Sequence, residues 1–435
     1  MHFKIKNVGR IAEANLILNG ITMIVGDNNM GKTTSGRVLY TFFNSLYRID
    51  REVDSQRKTH IKRLIRRFFE KYRRTFSDYS AIHEIIDHFL SDREDKGDEI
   101  REFIYHRLAP RASLMDIKGL LGSLVEVRDW SNTSVRKQII LDYFERVFSD
   151  QLVSVDFASE GASIHGEVEG HHVKVNFLGK DVSYESDINI QHQAFFVDSP
   201  DILNYWGRYR YMGAPGSSSA LSLSLRRGVN LALIGDDNPA DRAFENLMFA
   251  ERYNKFASEV AEIMGGHFEF DNNGILRFVE AREGVVNTPS FDLDNVSEGL
   301  KAFGVIELML KYRVFNDGDI LIFDEPEIHL HPEWQIKYAS ILVKLQKEFN
   351  LTVLITTHSS NFLMALQFVS RMENRAAVVN SYRIRESNQN SRYSVVESDN
   401  PNNWDDSYIS FIRAAQHLNV LREKAYAGEV ADDSK

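Results

Sequence analysis

Three short stretches carry residue types at spacings suited to handling a phosphate anion. The first is GDNNMGKTT, Gly26 to Thr34, with the spacing G-x-x-x-x-G-K-T. A glycine-bounded turn of this kind presents successive backbone N–H groups, and a helix that starts there adds the positive end of its dipole. Gly26 and Gly31 permit the turn and a close backbone approach. Lys32 is placed to bridge the β- and γ-phosphates of a nucleotide, and the Thr33 hydroxyl to ligate Mg²⁺. Asn28, Asn29 and Thr34 complete the expected cradle. The second stretch is DILIFDEPEIHLHP, Asp319 to Pro332. An apolar strand ends there in two acids: Asp324 suits a Mg²⁺ held through its water shell, and Glu325 suits polarising an attacking water. Adjacent acids can also merely solvate a strand end, and it is the pairing with a phosphate loop that favours chemistry. The third is VLITTHSSNF, Val353 to Phe362, another buried strand ending in a polar residue, His358. If the two strands are neighbours, this imidazole reaches the γ-phosphate and orients the water.

A fourth segment, DNVSEGLKAFGVIELML, places Ser297 and Gly299 just ahead of an apolar helix. Read alone it is an ordinary N-cap, with Ser297 capping and Lys301 beyond it. Exposed N–H groups at such a start also suit a phosphate.

The elements that must hold these residues are legible in the same way. Period-two alternation in HFKIKNV and EANLILN, followed by the apolar run ITMIV, predicts strands over residues 2 to 25. A helix is predicted from Lys32 through VLYTFFNSLY. Strand, glycine loop and helix is the setting the first motif requires. Residues 161 to 178 and HFEFDNNGILRFVEA predict hairpins, the second with Asn-Gly at its turn. AFFVDSP predicts a strand ending at Val197, and residues 239 to 264 a long helix. From about residue 295 helices and strands alternate, as in a parallel sheet.

Residues 48 to 150 read as helical and highly charged. Within them, Ile61, Leu64, Ile65, Phe68, Phe69 and Tyr72 form one apolar stripe over Arg57 to Arg74. Arg57, Lys58, Lys62, Arg63, Arg66, Arg67, Lys71, Arg73 and Arg74 fill much of the remaining surface. That face suits DNA or an acidic trigger protein, or is simply solvated. The net charge of −10 makes any contact with nucleic acid a matter of such a local patch. The absence of cysteine excludes disulfides and thiolate metal sites. No apolar run reaches the roughly 18 residues of a membrane span. A cytoplasmic location is the expectation.

The order GDNNMGKT, VSEG, LIFDEPEIHLHP, TTHSS resembles the ABC-type ATPase heads, most of all the branch shared by SMC, RecF and OLD-like ATPases. The resemblance implies an α/β P-loop ATPase head with a helical insertion and β-hairpin additions. Its parts would be residues 1–47 with the loop, the insertion 48–150, a completing lobe 151–290, and 291–435 with signature, acids and histidine. It implies slow, regulatory hydrolysis of ATP with Mg²⁺. It also implies that Ser297 and Gly299 contact the γ-phosphate held by a second copy, so that two copies sandwich two ATPs. The signature reads VSEG where transporter heads have a serine followed by two glycines. The glutamine loop has Asp198 at the strand end with Gln191 and Gln193 upstream, which makes Asp198 the weakest of the metal ligands implied. OLD-like proteins carry a nuclease after the head. Here Asp399, Asp405 and Asp406 fall in a Pro/Asn-rich loop without the strand-ending acids such a nuclease needs. The chain therefore resembles the stand-alone ATPase subunits of two-gene anti-phage systems, Septu first and PARIS second, which control a separate nuclease. A RecF-type DNA repair head is the alternative, and a transporter subunit fits least.

Overall fold

Short apolar runs between turns build the large sheet of this chain. The computed structural model describes residues 1–71, 113–149, 151–204, 239–282, 288–374, 379–387, 393–398, 419–420 and 422. In chain order the strands that matter are β1 (His2–Val8), β2 (Ile11–Ile17), β3 (Ile21–Val25), β4 (Ala162–Val168), β5 (His171–Leu178), β6 (Asp181–Ser186) and β7 (Ala194–Val197). They continue with β8 (Gly266–Phe270), β9 (Leu276–Glu280), β10 (Ser290–Asp292), β11 (Ile320–Asp324), β12 (Thr352–Thr357), β13 (Val379–Glu386) and β14 (Ser394–Ser398). Among the described residues eleven strands join in the order β6-β5-β4-β1-β2-β14-β13-β3-β12-β11-β7, and β10-β9-β8 form a separate small sheet.

The two halves of the large sheet differ as their sequences differ. β13, β3, β12, β11 and β7 run parallel to one another. Every residue of β3, β7 and β12 is buried, as expected where helices cover both faces. β1, β4, β5 and β6 pair antiparallel and alternate buried with exposed residues, as one-sided hairpin strands do. The expected α/β architecture with hairpin additions is therefore present.

The helices are α1 (Lys32–Leu46), α2 (Ile49–Lys71), α3 (Leu114–Arg128), α4 (Asn132–Phe148), α5 (Pro239–Met264), α6 (Glu298–Lys311), α7 (Pro332–Phe349) and α8 (Ser360–Met372). α6 is buried from Lys301 through Leu310 and carries the centre of the core, where Phe303 meets Tyr338 and Trp334 edge-on. α7 begins with Pro332 behind the cap His331 and ends at Asn350, whose left-handed φ of 48° closes the helix. Residues 1–44, 143–188 and 192–435 form one compact unit; residues 45–142 with 189–191 form another.

In the second unit, Ile61, Ile65 and Phe68 of α2 are buried and Leu64 is half-buried, so the apolar stripe packs inward. Arg63, Arg66 and Arg67 stay exposed. Arg57 departs from the expected basic face: its guanidinium donates to the Trp130 carbonyl and to Asn132 Oδ1, both at 2.6 Å. Tyr72, Arg73 and Arg74 and the acids Asp399, Asp405 and Asp406 lie outside the described residues. No helix among those described is long and apolar enough to cross a membrane.

One core residue carries a pH signature. Glu307 of α6 is 2% exposed and accepts from the Phe268 backbone N–H at 2.9 Å. Burial pushes its carboxyl up to about 7, against the partial relief of that hydrogen bond and of Lys311. Below its ordinary pKa the group is neutral folded or unfolded, so burial costs nothing electrostatic. Stability then falls as pH rises from about 4.5 to about 7. Glu307→Gln keeps the acceptor and removes the charge. We expect it to stabilise the protein at about pH 8 by on the order of 1–3 kcal/mol, with the gain vanishing near pH 5. Denaturation midpoints at the two pH values measure this; equal differences at both would refute it.

Candidate nucleotide site

Four parallel strands end at the same edge of the sheet, and each delivers one functional stretch there. β3 leads into the loop 26–34, β12 into His358, β11 into Asp324 and Glu325, and β7 into Asp198. β12 lies between β3 and β11, with Thr356 in register with Asp324 and Thr357 with Val25. The neighbouring of the acid strand and the histidine strand is thus as the sequence reading required. The crevice beyond the carboxyl ends of parallel strands is where open α/β sheets bind ligands.

The loop has the backbone of an anion cradle. Asn29 (φ 62°) and Gly31 (φ 98°) are both left-handed, which turns successive N–H groups toward one concavity. Asn28 and Asn29 are exposed, and Thr33 and Thr34 half-buried in the first turn of α1. Lys32 is 4% exposed and donates from Nζ to the carbonyls of Gly26 and Asp27, both at 2.9 Å. It also forms an ion pair with Glu325 Oε1 at 3.1 Å. Gly26 has a reason the sequence did not reveal. A Cβ there would lie 2.3 Å from Ile384 Cγ2 and 2.9 Å from the Ile384 carbonyl, so β13 packs against the loop's first residue.

Asp324 is the meeting point. Its Oδ2 accepts from the Thr33 hydroxyl at 2.7 Å, across 291 residues of sequence, and its Oδ1 accepts from the Thr356 hydroxyl. Burial pushes its carboxyl up, while those two hydroxyls pull it back down. Such a carboxylate and hydroxyl, side by side, suit a hard cation that prefers oxygen ligands. Val197 is in register with Phe323, which sets Asp198 beside Asp324. Burial raises the Asp198 carboxyl, the Arg37 guanidinium opposes, and the Asp324 charge adds to the rise. Arg37, one turn into α1, thus faces both acids, and its spacing from Lys32 offered no sign of that.

Glu325 occupies a left-handed backbone, φ 49°, which is uncommon for a residue with a side chain and costs on the order of 1 kcal/mol. Its N–H is held by the Thr356 carbonyl at 3.0 Å and hydroxyl at 3.1 Å. Its carboxylate lies between Lys32 and the His358 ring, with Oε2 3.3 Å from Nδ1. Four further residues that sequence reasoning missed tie the acid and histidine loops together. Glu327 Oε1 accepts from the Thr357 hydroxyl and from the His358 N–H at 3.1 Å. The Thr357 hydroxyl accepts from the Ser359 N–H at 3.0 Å, the Ser359 hydroxyl donates to Gln335 at 3.1 Å, and the Gln335 amide donates to the Leu330 carbonyl at 3.1 Å. The signal for Glu327 was its place in the stretch DEPEIHLHP, three residues after Asp324, which the sequence reading quoted without giving this residue a role.

Ser297 caps α6, accepting from the Leu300 N–H at 3.3 Å. A Cβ on Gly299 would lie 3.2 Å from the His329 carbonyl. The VSEG segment therefore rests on the loop that follows Glu325, and its role toward a second copy is a matter for the proposal below.

The close contact at Gly26 has a measurable consequence. Gly26→Ala is expected to lower stability by about 1–3 kcal/mol even without nucleotide, because Ile384 must shift. Adding Ile384→Ala should recover part of the loss. A Gly26→Ala protein as stable as wild type in thermal unfolding would show that the strand does not constrain the loop.

Comparison with known proteins follows this geometry. Residues 241–363 match the family described as AAA ATPase domain, a stretch that takes in Ser297, Gly299, Asp324, Glu325 and His358 but stops short of the loop 26–34. The methionine import ATP-binding protein MetN of Streptococcus thermophilus, strains CNRZ 1066 and ATCC BAA-250 / LMG 18311, is 31% identical over 146 residues. That covers 33% of this chain and 35% of the relative, so the chain spans about a third of the length of the curated relatives it matches. Among solved structures, the SMC head domain from Thermotoga maritima matches with 10% identity and a TM-score of 0.40, over 92% of this chain and 98% of that one. A Pyrococcus furiosus Smc head with an extended coiled coil, bound to the C-terminal domain of ScpA, matches with 11% identity and a TM-score of 0.42, over 97% and 98%. The family match and the geometry of the strand ends agree on an ATPase domain, as the sequence led one to expect.

Proposed function

We propose that this chain binds Mg²⁺-ATP at residues 26–34 and hydrolyses it at sites shared between two copies, and that its nucleotide state governs a separate nuclease subunit in anti-phage defence. The observation that carries the reading is the meeting of Thr33 with Asp324 at 2.7 Å and of Lys32 with Glu325 at 3.1 Å. It joins the phosphate loop to the acid pair by the contacts that a metal-bound triphosphate needs. The donor set fits the group: a hydroxyl, a carboxylate and a second carboxylate, Asp198, all oxygen. Mg²⁺ held by Thr33 and Asp324 would supply positive charge to the phosphate oxygens.

The chain's own residues do the rest. The loop N–H groups and Lys32 orient the phosphates. Glu325 takes hydrogen bonds from the attacking water and accepts its proton, and its strained backbone aims the carboxylate from the strand end. His358 sits against Glu325 and reports on the terminal phosphate. One chain has one loop and one VSEG segment, so a complete site takes Ser297 and Gly299 from a partner copy. ATP then joins two copies, and its hydrolysis loosens them.

The effector is proposed as separate, as it is in the two-gene systems that the motif order resembles. The exposed guanidinium groups of Arg63, Arg66 and Arg67 favour a second reading, a DNA-binding repair head without a nuclease.

Lys32→Ala should lose nucleotide binding in calorimetry. Glu325→Gln should bind ATP, turn over at least about a hundredfold more slowly, and accumulate as the closed pair in size-exclusion chromatography. Normal turnover by Glu325→Gln overturns the catalytic assignment. Lys32→Ala and Ser297→Arg should each be inactive alone yet active when mixed, because one site of the mixed pair is intact. No recovery on mixing rejects sharing between copies. Purification with the products of adjacent genes decides the partner: a stoichiometric nuclease supports the defence reading, and a recombination mediator replaces it with repair.

A further inference from the structure

Glu327 lies under the site and has no part in the reaction as described. Its side chain is 2% exposed. Oε1 is fully used by the Thr357 hydroxyl and the His358 backbone N–H, but Oε2 is buried with no hydrogen-bond partner. His358 Nδ1 is likewise buried and unpartnered, although it stands 3.3 Å from Glu325 Oε2 and 3.7 Å from Glu327 Oε1. Each of the two side chains thus keeps a buried polar atom without a partner, a condition that carries a free-energy cost. Burial pushes the Glu327 carboxyl up, a further cost that a purely structural acceptor such as glutamine would avoid. The two groups nearest Nδ1 are carboxyls, and an ionised carboxylate only accepts, so their charge favours the tautomer with its hydrogen on Nδ1.

We propose that Glu327 is a positioning residue for His358, holding the ring with its hydrogen on Nδ1 and serving as the alternative partner to which Nδ1–H turns when Glu325 engages water. The inference rests on the ATPase reading given above. In one arrangement the ring lies against Glu325, with Nδ1 3.3 Å from its Oε2 as seen here. In the other, Nδ1–H donates to the Glu327 carboxylate, whose Oε1 stands 3.7 Å away, which gives Nδ1 a partner and leaves the Glu325 carboxylate free to accept the proton of water. No bond other than hydrogen bonds is made or broken in the exchange. The backbone at His358 does not need to move, because its own N–H stays on Glu327 Oε1 in both arrangements. The relay through Thr357, Ser359 and Gln335 keeps the two loops in register while the ring turns.

Steady-state ATP hydrolysis by the full chain tests this with a double-mutant cycle. Glu327→Gln keeps an oxygen for Thr357 and for the His358 N–H but removes the charge that makes this group an acceptor for Nδ1–H. We expect kcat to fall about tenfold with KM for ATP within about twofold, and melting temperature unchanged or higher. Because Glu327 acts only through His358, adding Glu327→Gln to His358→Ala should cause no further loss. Losses that multiply, or a Glu327→Gln enzyme with normal kcat beside a slow His358→Ala enzyme, overturn the proposal. If Glu327→Gln does not fold, Glu327→Asp, which keeps the charge but shortens its reach, enters the same cycle with the same expectation. Lys32→Ala separates the two levels: hydrolysis persisting there overturns the nucleotide site itself and this inference with it. Its loss there, together with an unimpaired Glu327→Gln enzyme, overturns this inference alone.

Discussion

The carboxylate of Asp324, held between the hydroxyls of Thr33 and Thr356, is the contact on which the rest of the site depends. It is a buried charge, and burial alone would favour its protonation. Two short O–H donors oppose that and fix both oxygens in place. Thr356 can donate because β11 and β12 pair in parallel with these two residues in register. Thr33 can donate because the loop ends where α1 begins, one turn from the sheet edge. Shifting either strand by one residue would turn the hydroxyl to the opposite face of the sheet. The geometry of a few side chains is therefore set by the pairing of whole strands.

Several local rules are broken around this contact, and the breaches cluster. Glu325 has a left-handed backbone, Glu327 keeps a buried oxygen without a partner, and Asp198 and Asp324 are like charges placed side by side. Arg37 and Lys32 compensate part of the charge. The remainder is tolerated because the strands beneath are buried on both faces and α6 packs its full apolar length behind them. Strain held by a rigid scaffold is the usual condition of a site that must change state. Here the two loops most affected, after β11 and after β12, are also the two bound together through Glu327, Thr357 and Gln335.

The antiparallel half of the sheet and the helical unit each follow simpler packing rules. Strands β4, β5 and β6 extend the sheet from β1 by hairpins, each with one solvated face. The helical unit packs the stripe of Ile61, Ile65 and Phe68 and leaves Arg63, Arg66 and Arg67 exposed. Arg57 shows how a charge pattern read from sequence can mislead. It has the same spacing as its neighbours, yet it is spent on the carbonyl of Trp130 and on Asn132, long-range bonds that no periodicity encodes.

The chain's composition and spacing determined a good deal unaided. The loop Gly26 to Thr34, the strand ending in Asp324 and Glu325, the strand ending before His358 and the hairpin at Asn273-Gly274 were all readable, because each depends on neighbours within a dozen residues. What only the tertiary structure decided was which of these ends meet. It placed β12 between β3 and β11, gave Thr356, Thr357, Glu327, Gln335 and Arg37 their parts, and revealed that Gly26 is needed against Ile384. The physical reason is that hydrogen bonds and van der Waals contacts act over a few ångströms, whereas these partners lie tens to hundreds of residues apart. Periodicity records which face of an element is buried, but not what it is buried against.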